Sequence, residues 1–76
     1  MRIIFDDAIF SWNIKYLRKK NHLSQKELAK RSGRSIYWIR GIENGFLRAE
    51  IDLLDYDMLC KALNVKPELI RNQYLP

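Results

Sequence analysis

The side chains that could take part in chemistry in this 76-residue chain are few, and they suit hydrogen bonding better than catalysis. Ser24 and Glu27 have the spacing at which a hydroxyl and a carboxylate exchange hydrogen bonds with backbone amides at a helix start. With one histidine, His22, and one cysteine, Cys60, neither an internal disulfide nor a zinc site is expected. No nucleophile, base or phosphate-binding loop is grouped as in an enzyme, so we expect no catalytic residue, metal or cofactor.

Two short helices are predicted around these residues, between Ser24 and Gly45. Gly33 can adopt the left-handed conformation that ends the first helix, and Ser35 can cap the second. The second helix has an apolar face built from residues at i, i+3 and i+6, namely Ile36, Ile39 and Ile42. Two helices joined by a short turn containing glycine form a helix-turn-helix, whose second helix enters the major groove of DNA.

The whole chain is predicted to be all-α, with five helices in a single domain over residues 1–76. The helices are expected over about 7–21, 25–32 and 36–44, then after a cap at Asp52 or Asp55, and finally from Pro67. Residues 1–6 form an expected extended leader, 24–45 the helix-turn-helix core and 71–76 a tail. The predicted hydrophobic core consists of Ile14, Leu17, Leu28, Ala29, Ile39, Ile42, Leu59, Leu63, Val65 and Leu69.

Positive charge is concentrated in the first part of the chain, whose formal net charge is +5. Ten basic and 4 acidic residues occur up to Gly45, against 4 and 5 after it. Such an asymmetry indicates a face presented to a polyanion, although a solvated helix surface is the alternative for a charge run alone. No signal peptide or membrane-spanning stretch is recognisable, so a cytoplasmic location without membrane contact is expected.

The motif resembles the Cro/C1-type helix-turn-helix family of phage repressors and Xre-like bacterial regulators. The matching pattern, L-S-Q-x-E-L-A-x-x-x-G-x-S-x-x-x-I-x-x-I-E-x-G, runs from Leu23 to Gly45. Ile14, Leu17 and Arg18 match the preceding family helix, and the segment LCKALNV matches a later one, so about residues 12–70 are covered. The resemblance implies a lambda-repressor-like fold and sequence-specific binding of double-stranded DNA by a transcriptional regulator, a repressor more than an activator.

The resemblance also implies roles for individual residues. Phosphate contacts are expected from the side chains of Gln25, Asn44 and Ser35, with the amide of Gln25 at the positive end of a helix dipole. The base-reading positions of the second motif helix are Ile36, Tyr37, Arg40 and Gly41. Because an isoleucine can only contact a thymine methyl and a glycine has no side chain, Arg40 is expected to carry much of the readout. An ion pair between Arg18 and Glu43 is expected to have a structural role.

The sequence leaves two questions about protein partners open. The apolar triplet at 36–38, which includes Trp38, favours a rival function as a protein-interaction module, such as an antitoxin-like protein or a co-regulator. A homodimer is expected through apolar residues that the family core does not require: Ile3, Ile4, Phe5, Phe46, Leu47, Ile51, Tyr74 and Leu75. The alternative is that residues 3–5 cover the domain's own helices. No small-molecule ligand is expected.

Overall fold

A computed structural model of the protein describes residues 7–45, 51–70 and 74–75. Within these ranges the elements are α1 (Asp7–Lys20), α2 (Gln25–Ser32), α3 (Ile36–Glu43), α4 (Leu53–Ala62) and a 3₁₀ helix (Pro67–Leu69), without any strand. The expected all-α class is confirmed for this part of the chain, but the expected count of five α-helices is not. The leader predicted for residues 1–6 and most of the tail predicted for 71–76 lie outside the described residues.

The described helices pack around one hydrophobic core. α2 lies against α3 and α4, and α1 lies against α3. Eight of the ten predicted core residues are buried, together with residues that the sequence prediction omitted: Phe10, Leu23, Ile51, Tyr56, Cys60 and Ile70. Cys60 is a buried free thiol.

The prediction for the last core residue was wrong. Half of the surface of Leu69 is exposed, whereas Ile70 is completely buried, and Val65 packs only at the edge of the core. The predicted fifth α-helix is a single 3₁₀ turn, which has fewer residues per turn than an α-helix and so directs successive side chains differently. Tertiary hydrogen bonds anchor this turn: the Tyr56 hydroxyl donates to the carbonyl of Pro67.

Each of the four described α-helices is followed by a left-handed residue at which the chain changes direction. These residues are His22 (φ 57°), Gly33 (φ 75°), Gly45 (φ 78°) and Asn64 (φ 54°). The left-handed conformation predicted for Gly33 is confirmed. After α2, the amide of Gly33 donates to the carbonyl of Lys30 at 3.4 Å, and the amide of Arg34 donates to that of Ala29 at 3.0 Å. This closed turn determines the direction in which α3 leaves α2.

The start of α2 carries the predicted capping box. The Ser24 hydroxyl accepts from the Glu27 amide at 3.0 Å, and the Ser24 amide donates to the Glu27 carboxylate at 2.9 Å. The hydrogen bond from the Ser24 amide, followed by that from its hydroxyl, lowers the pKa of the Glu27 carboxyl. A carboxyl whose pKa is lowered on folding stabilises the fold above its unfolded pKa, and loses that contribution as pH falls through the folded value.

We therefore expect Glu27→Gln to reduce the acid sensitivity of the protein. Glutamine keeps the geometry of the capping box but does not titrate. Thermal unfolding of the wild type and the variant at about pH 6 and about pH 3 measures the difference, because this range includes the ordinary pKa of glutamate. The loss of melting temperature on acidification should be smaller in the variant. An equal loss in both proteins would contradict the assignment of Glu27.

No helix within the described ranges is long and apolar enough to cross a membrane.

Candidate nucleic-acid interface

The two helices of the motif begin with the same kind of cap. Ser35 caps α3 by accepting a hydrogen bond from the amide of Trp38 at 3.1 Å, as Ser24 caps α2. This hydrogen bond uses the Ser35 oxygen as an acceptor, so its hydrogen can still be donated to a phosphate. Gln25 is the first residue of α2, where backbone amides and the helix dipole favour an anion. Both helix starts thus offer hydrogen-bond donors.

The end of α3 is joined to α1 by a charged pair. The Arg18 guanidinium donates to both carboxylate oxygens of Glu43, from Nε at 2.7 Å and from Nη2 at 3.1 Å, and to the carbonyl of Leu23 at 2.8 Å. The side chains are only 12% and 2% exposed, respectively. A nearly buried, bidentate pair of this kind fixes the position of α3 relative to α1. The structure therefore contains the ion pair expected from the sequence.

Gln25 extends this pair towards the surface. Its Nε2 donates to Glu43 Oε1 at 3.1 Å, and its Oε1 accepts from Arg40 Nε at 3.3 Å. The Arg40 guanidinium also lies 5.9 Å from the centroid of the Tyr37 ring. We call this chain of contacts the polar network; its members are Arg18, Glu43, Gln25, Arg40 and Tyr37. It connects an expected phosphate contact, Gln25, with an expected base-reading residue, Arg40.

The contact between Gln25 and Arg40 was not predicted from the sequence. The sequence contains only a weak indication of this contact: Arg40 and Glu43 are three residues apart and therefore lie on the same side of α3. Whether Gln25 reaches that side depends on how α2 crosses α3. Only the folded arrangement determines this.

The remaining candidate residues differ in exposure. Tyr37 is 75% exposed, and Ser35, Arg40 and Asn44 are also exposed. Ile36 is partly buried and packs against the core. Partial burial reduces the surface that Ile36 can offer to a base, so the start of α3 presents mainly polar groups to solvent. Gly41 is half-buried, and Asn44 is the C-cap of α3.

The apolar triplet of α3 does not form an exposed apolar face. Trp38 is half-buried and packs against the core. The guanidinium of Arg34 lies 4.7 Å from the Trp38 ring centroid, and Arg34 Nη1 is 3.5 Å from a carboxylate oxygen of Asp55. Since Ile36 is also half-buried, only Tyr37 of the three is fully available to a partner. This arrangement weighs against the docking of a protein on α3.

The surface around the motif is basic. Glu43 is neutralised by Arg18, which removes its negative charge from the surface of α3. The exposed cations of α2 and the turn are Lys26, Lys30, Arg31 and Arg34. Such a distribution attracts a polyanion and provides a salt-dependent component of binding.

Comparison with known proteins identifies the family. The helix-turn-helix family profile matches residues 14–70. The restriction-modification controller protein C.AhdI from Aeromonas hydrophila is 30% identical, with a TM-score of 0.74 over 83% of this chain and 92% of that chain. The chain belongs to the Cro/C1-type helix-turn-helix family. Proteins of this family are DNA-binding transcription regulators, and the chain is not an enzyme.

More distant structures share the same fold. The hypothetical transcription factor NHTF from Neisseria is 22% identical, with a TM-score of 0.75 over 90% of this chain and 79% of that chain. SinR, a master regulator for biofilm formation solved in complex with DNA, is 21% identical; its TM-score is 0.73 over 80% of this chain and 95% of that chain. Among curated proteins, no sequence matches significantly.

Proposed function

We propose that this Cro/C1-type protein is a sequence-specific DNA-binding repressor of the phage or bacterial kind, acting in the cytoplasm as a homodimer of single-domain chains. The polar network is the observation that carries the proposal. It presents Arg40 and Tyr37 at the exposed side of α3, beside the anion-favouring start of α2. In this proposal α3 enters the major groove.

Three residues make the proposed phosphate contacts. The Gln25 amide nitrogen carries two hydrogens, and only one is needed for the bond to Glu43. The second can be donated to a phosphate together with the backbone amides at the start of α2. Ser35 contributes its hydroxyl hydrogen at the start of α3, and Asn44 its exposed side-chain amide at the end of α3. These contacts fix the register of the protein on DNA without reading its sequence.

Arg40 is the proposed principal base reader. Its Nε is used by Gln25, which leaves the two terminal nitrogens of the guanidinium to face a base edge. A guanidinium fork suits the O6 and N7 acceptors of guanine in the major groove. Tyr37 adds an exposed hydroxyl beside Arg40, whereas Ile36 and Gly41 supply at most apolar or backbone contact. We therefore propose a binding site in which one guanine per half-site contributes most of the specificity.

Homodimerisation remains part of the proposal, with one correction to its expected surface. Ile51 is buried in the core and cannot serve as an interface residue, while residues 3–5, 46 and 47 lie outside the described residues. α4 exposes three further apolar residues, which were not among those expected at the interface: Leu53, Leu54 and Met58. A two-fold dimer would bury such surface and hold two α3 helices about 34 Å apart, one turn of DNA.

Selection of bound sites from random duplex DNA tests the proposed function. We expect the selected sites to contain two inverted half-sites, spaced as the dimer requires, and sedimentation to show a dimer on them. Gln25→Ala and Asn44→Ala should each weaken binding to random sequence roughly tenfold, and to the selected sites by at least that factor, through the loss of one hydrogen bond to a charged group.

The salt dependence supplies the control. Gln25→Ala removes no charge and should keep the slope of affinity against salt, whereas Lys26→Ala, at the neighbouring position, should reduce the slope by about 1 if Lys26 faces a phosphate. Unchanged affinity in both Gln25→Ala and Asn44→Ala would contradict the phosphate assignments. Selected sites without two-fold symmetry, bound by a monomer, would contradict the dimer.

A further inference from the structure

The outward side of α1 carries a second surface with a distinct chemistry. Trp12 and Tyr74 are 46% and 57% exposed, although both are large aromatic residues. Trp12, Tyr16, Lys15 and Lys19 line a shallow groove of about 280 Å³. We call this region the α1 aromatic surface; it consists of Trp12, Tyr16 and Tyr74 with Lys15, Lys19 and Lys20.

The aromatic residues hold one another in place. The rings of Trp12 and Tyr16 are stacked with centroids 5.1 Å apart, and the rings of Trp12 and Tyr74 are nearly perpendicular with centroids 5.4 Å apart. The segment that carries Tyr74 is anchored next to α1, because the amide of Leu75 donates to the buried side chain of Asn13 at 3.0 Å. The surface is therefore formed before any partner binds, which lowers the entropic cost of binding.

The charged side chains that belong to this surface are lysines. No acidic residue occurs between residues 8 and 22, and Lys15, Lys19 and Lys20 are exposed. Within the described residues, no salt bridge joins these lysines to a carboxylate. The Nζ of Lys20 lies 5.8 Å from the centroid of the Tyr16 ring. Aromatic side chains beside exposed cations fit a partner that combines an apolar group with negative charge.

The α1 aromatic surface is separate from the proposed DNA interface. Arg18, which faces Glu43 of α3, is six residues after Trp12, so the two side chains point roughly 120° apart around α1. The polar network and the start of α3 therefore lie on a different side of α1 from the stacked rings. A ligand bound at one surface would therefore not displace a ligand bound at the other.

We propose that the α1 aromatic surface binds an acidic peptide segment of another protein, with an apolar side chain of that segment in the groove and its carboxylates near the lysines. Single-stranded nucleic acid fits less well, because base stacking needs open ring faces and the rings here cover one another. A second copy of this chain fits less well too, since a two-fold interface across this surface would bring lysines against lysines.

Fluorescence anisotropy with synthetic peptides tests this proposal on the full chain. The probe is a labelled peptide of about twelve residues, rich in Asp and Glu, with two central leucines; the comparison peptide has serines in place of the leucines. We expect the leucine peptide to bind more tightly than the serine peptide. Trp12→Ala should weaken its binding at least fivefold while duplex DNA binding is retained.

Charge variants complete the test. The double variant Lys15→Glu, Lys19→Glu should also weaken the leucine peptide at least fivefold, whereas Lys66→Glu, an exposed lysine preceding the 3₁₀ helix, should leave it unchanged. Thermal unfolding checks that Trp12→Ala is folded, and Trp12→Phe, which keeps an aromatic ring, should bind nearly as the wild type does.

Four results would overturn the proposal. The first is that the leucine peptide does not bind, and the second is that Lys66→Glu weakens its binding as much as the double lysine variant does. The third is that a thymidine oligonucleotide competes with the peptide and Trp12→Ala abolishes this competition. The fourth is that Trp12→Ala dissociates a dimer of the protein. The third would assign the surface to nucleic acid and the fourth to a second copy. A protein that binds the peptide but no duplex DNA would contradict the proposed function and leave this inference standing.

Discussion

Replacing Glu43 by Gln will lower the free energy of unfolding by about 3 kcal/mol, because it leaves the guanidinium of Arg18 without its counter-charge in a nearly buried position. Arg18→Met should lower it by a similar amount, since it leaves the carboxylate of Glu43 without a counter-charge and removes the donor to the Leu23 carbonyl. Both values can be measured by denaturant unfolding at neutral pH, with the midpoint and slope compared to the wild type.

The double variant Arg18→Met, Glu43→Gln separates pairing from packing. It should recover part of the combined loss, because neither charge is then buried alone. Lys61→Met with Asp57→Asn provides a control, as this pair is exposed on α4 and should contribute less than about 1 kcal/mol. Additive effects of the two single replacements at Arg18 and Glu43 would show that the residues are not coupled.

Replacing Arg40 by Ala will reduce the discrimination between a selected DNA site and the same site with the guanine of one half-site changed. One bidentate contact to guanine is worth about 2 kcal/mol, so we expect roughly a thirtyfold loss of discrimination. Binding to random sequence should fall less, by the contribution of one positive charge. Affinities for both duplexes at one salt concentration provide the measurement.

The polar network leads to a further prediction for the same measurement of discrimination between the two duplexes. Because Gln25 accepts from Arg40 Nε, Gln25→Ala should also lower the discrimination at guanine, and should do so only when Arg40 is present. Arg31→Ala provides a matched control, since Arg31 is an exposed arginine of α2 outside the network. It should weaken all duplexes alike and leave the discrimination intact. Independent effects of Gln25→Ala and Arg40→Ala would remove the proposed link between phosphate contact and base readout.

The interpretation of α3 changed most between sequence and structure. As a sequence, the triplet at 36–38 has the composition of a docking helix, and this favoured a protein-interaction module as the rival function. In the fold, Ile36 and Trp38 bury much of their surface against the core, and the Arg34 guanidinium lies over the Trp38 ring. The exposed remainder is Tyr37 with Arg40, which are polar groups at a helix face. Composition alone could not separate the two cases.

The sequence by itself determined the local elements of this protein. The capping box of Ser24 and Glu27, the left-handed helix ends at Gly33 and Asn64, and the helix-turn-helix between Leu23 and Gly45 depend on hydrogen bonds among residues close along the chain. Such bonds are specified by residue types at fixed spacing, whatever the rest of the chain does. The family could therefore be identified from the same residues.

The tertiary structure alone decided the contacts between elements. Gln25 meets Arg40 and Glu43 because α2 crosses α3 at a particular angle, and Ile70 replaces Leu69 in the core because the last turn is a 3₁₀ helix that Asn13 and Tyr56 anchor. These contacts join residues 11 to 57 positions apart. Their geometry depends on how whole helices pack, and helix packing angles vary by tens of degrees among sequences with the same pattern of apolar residues.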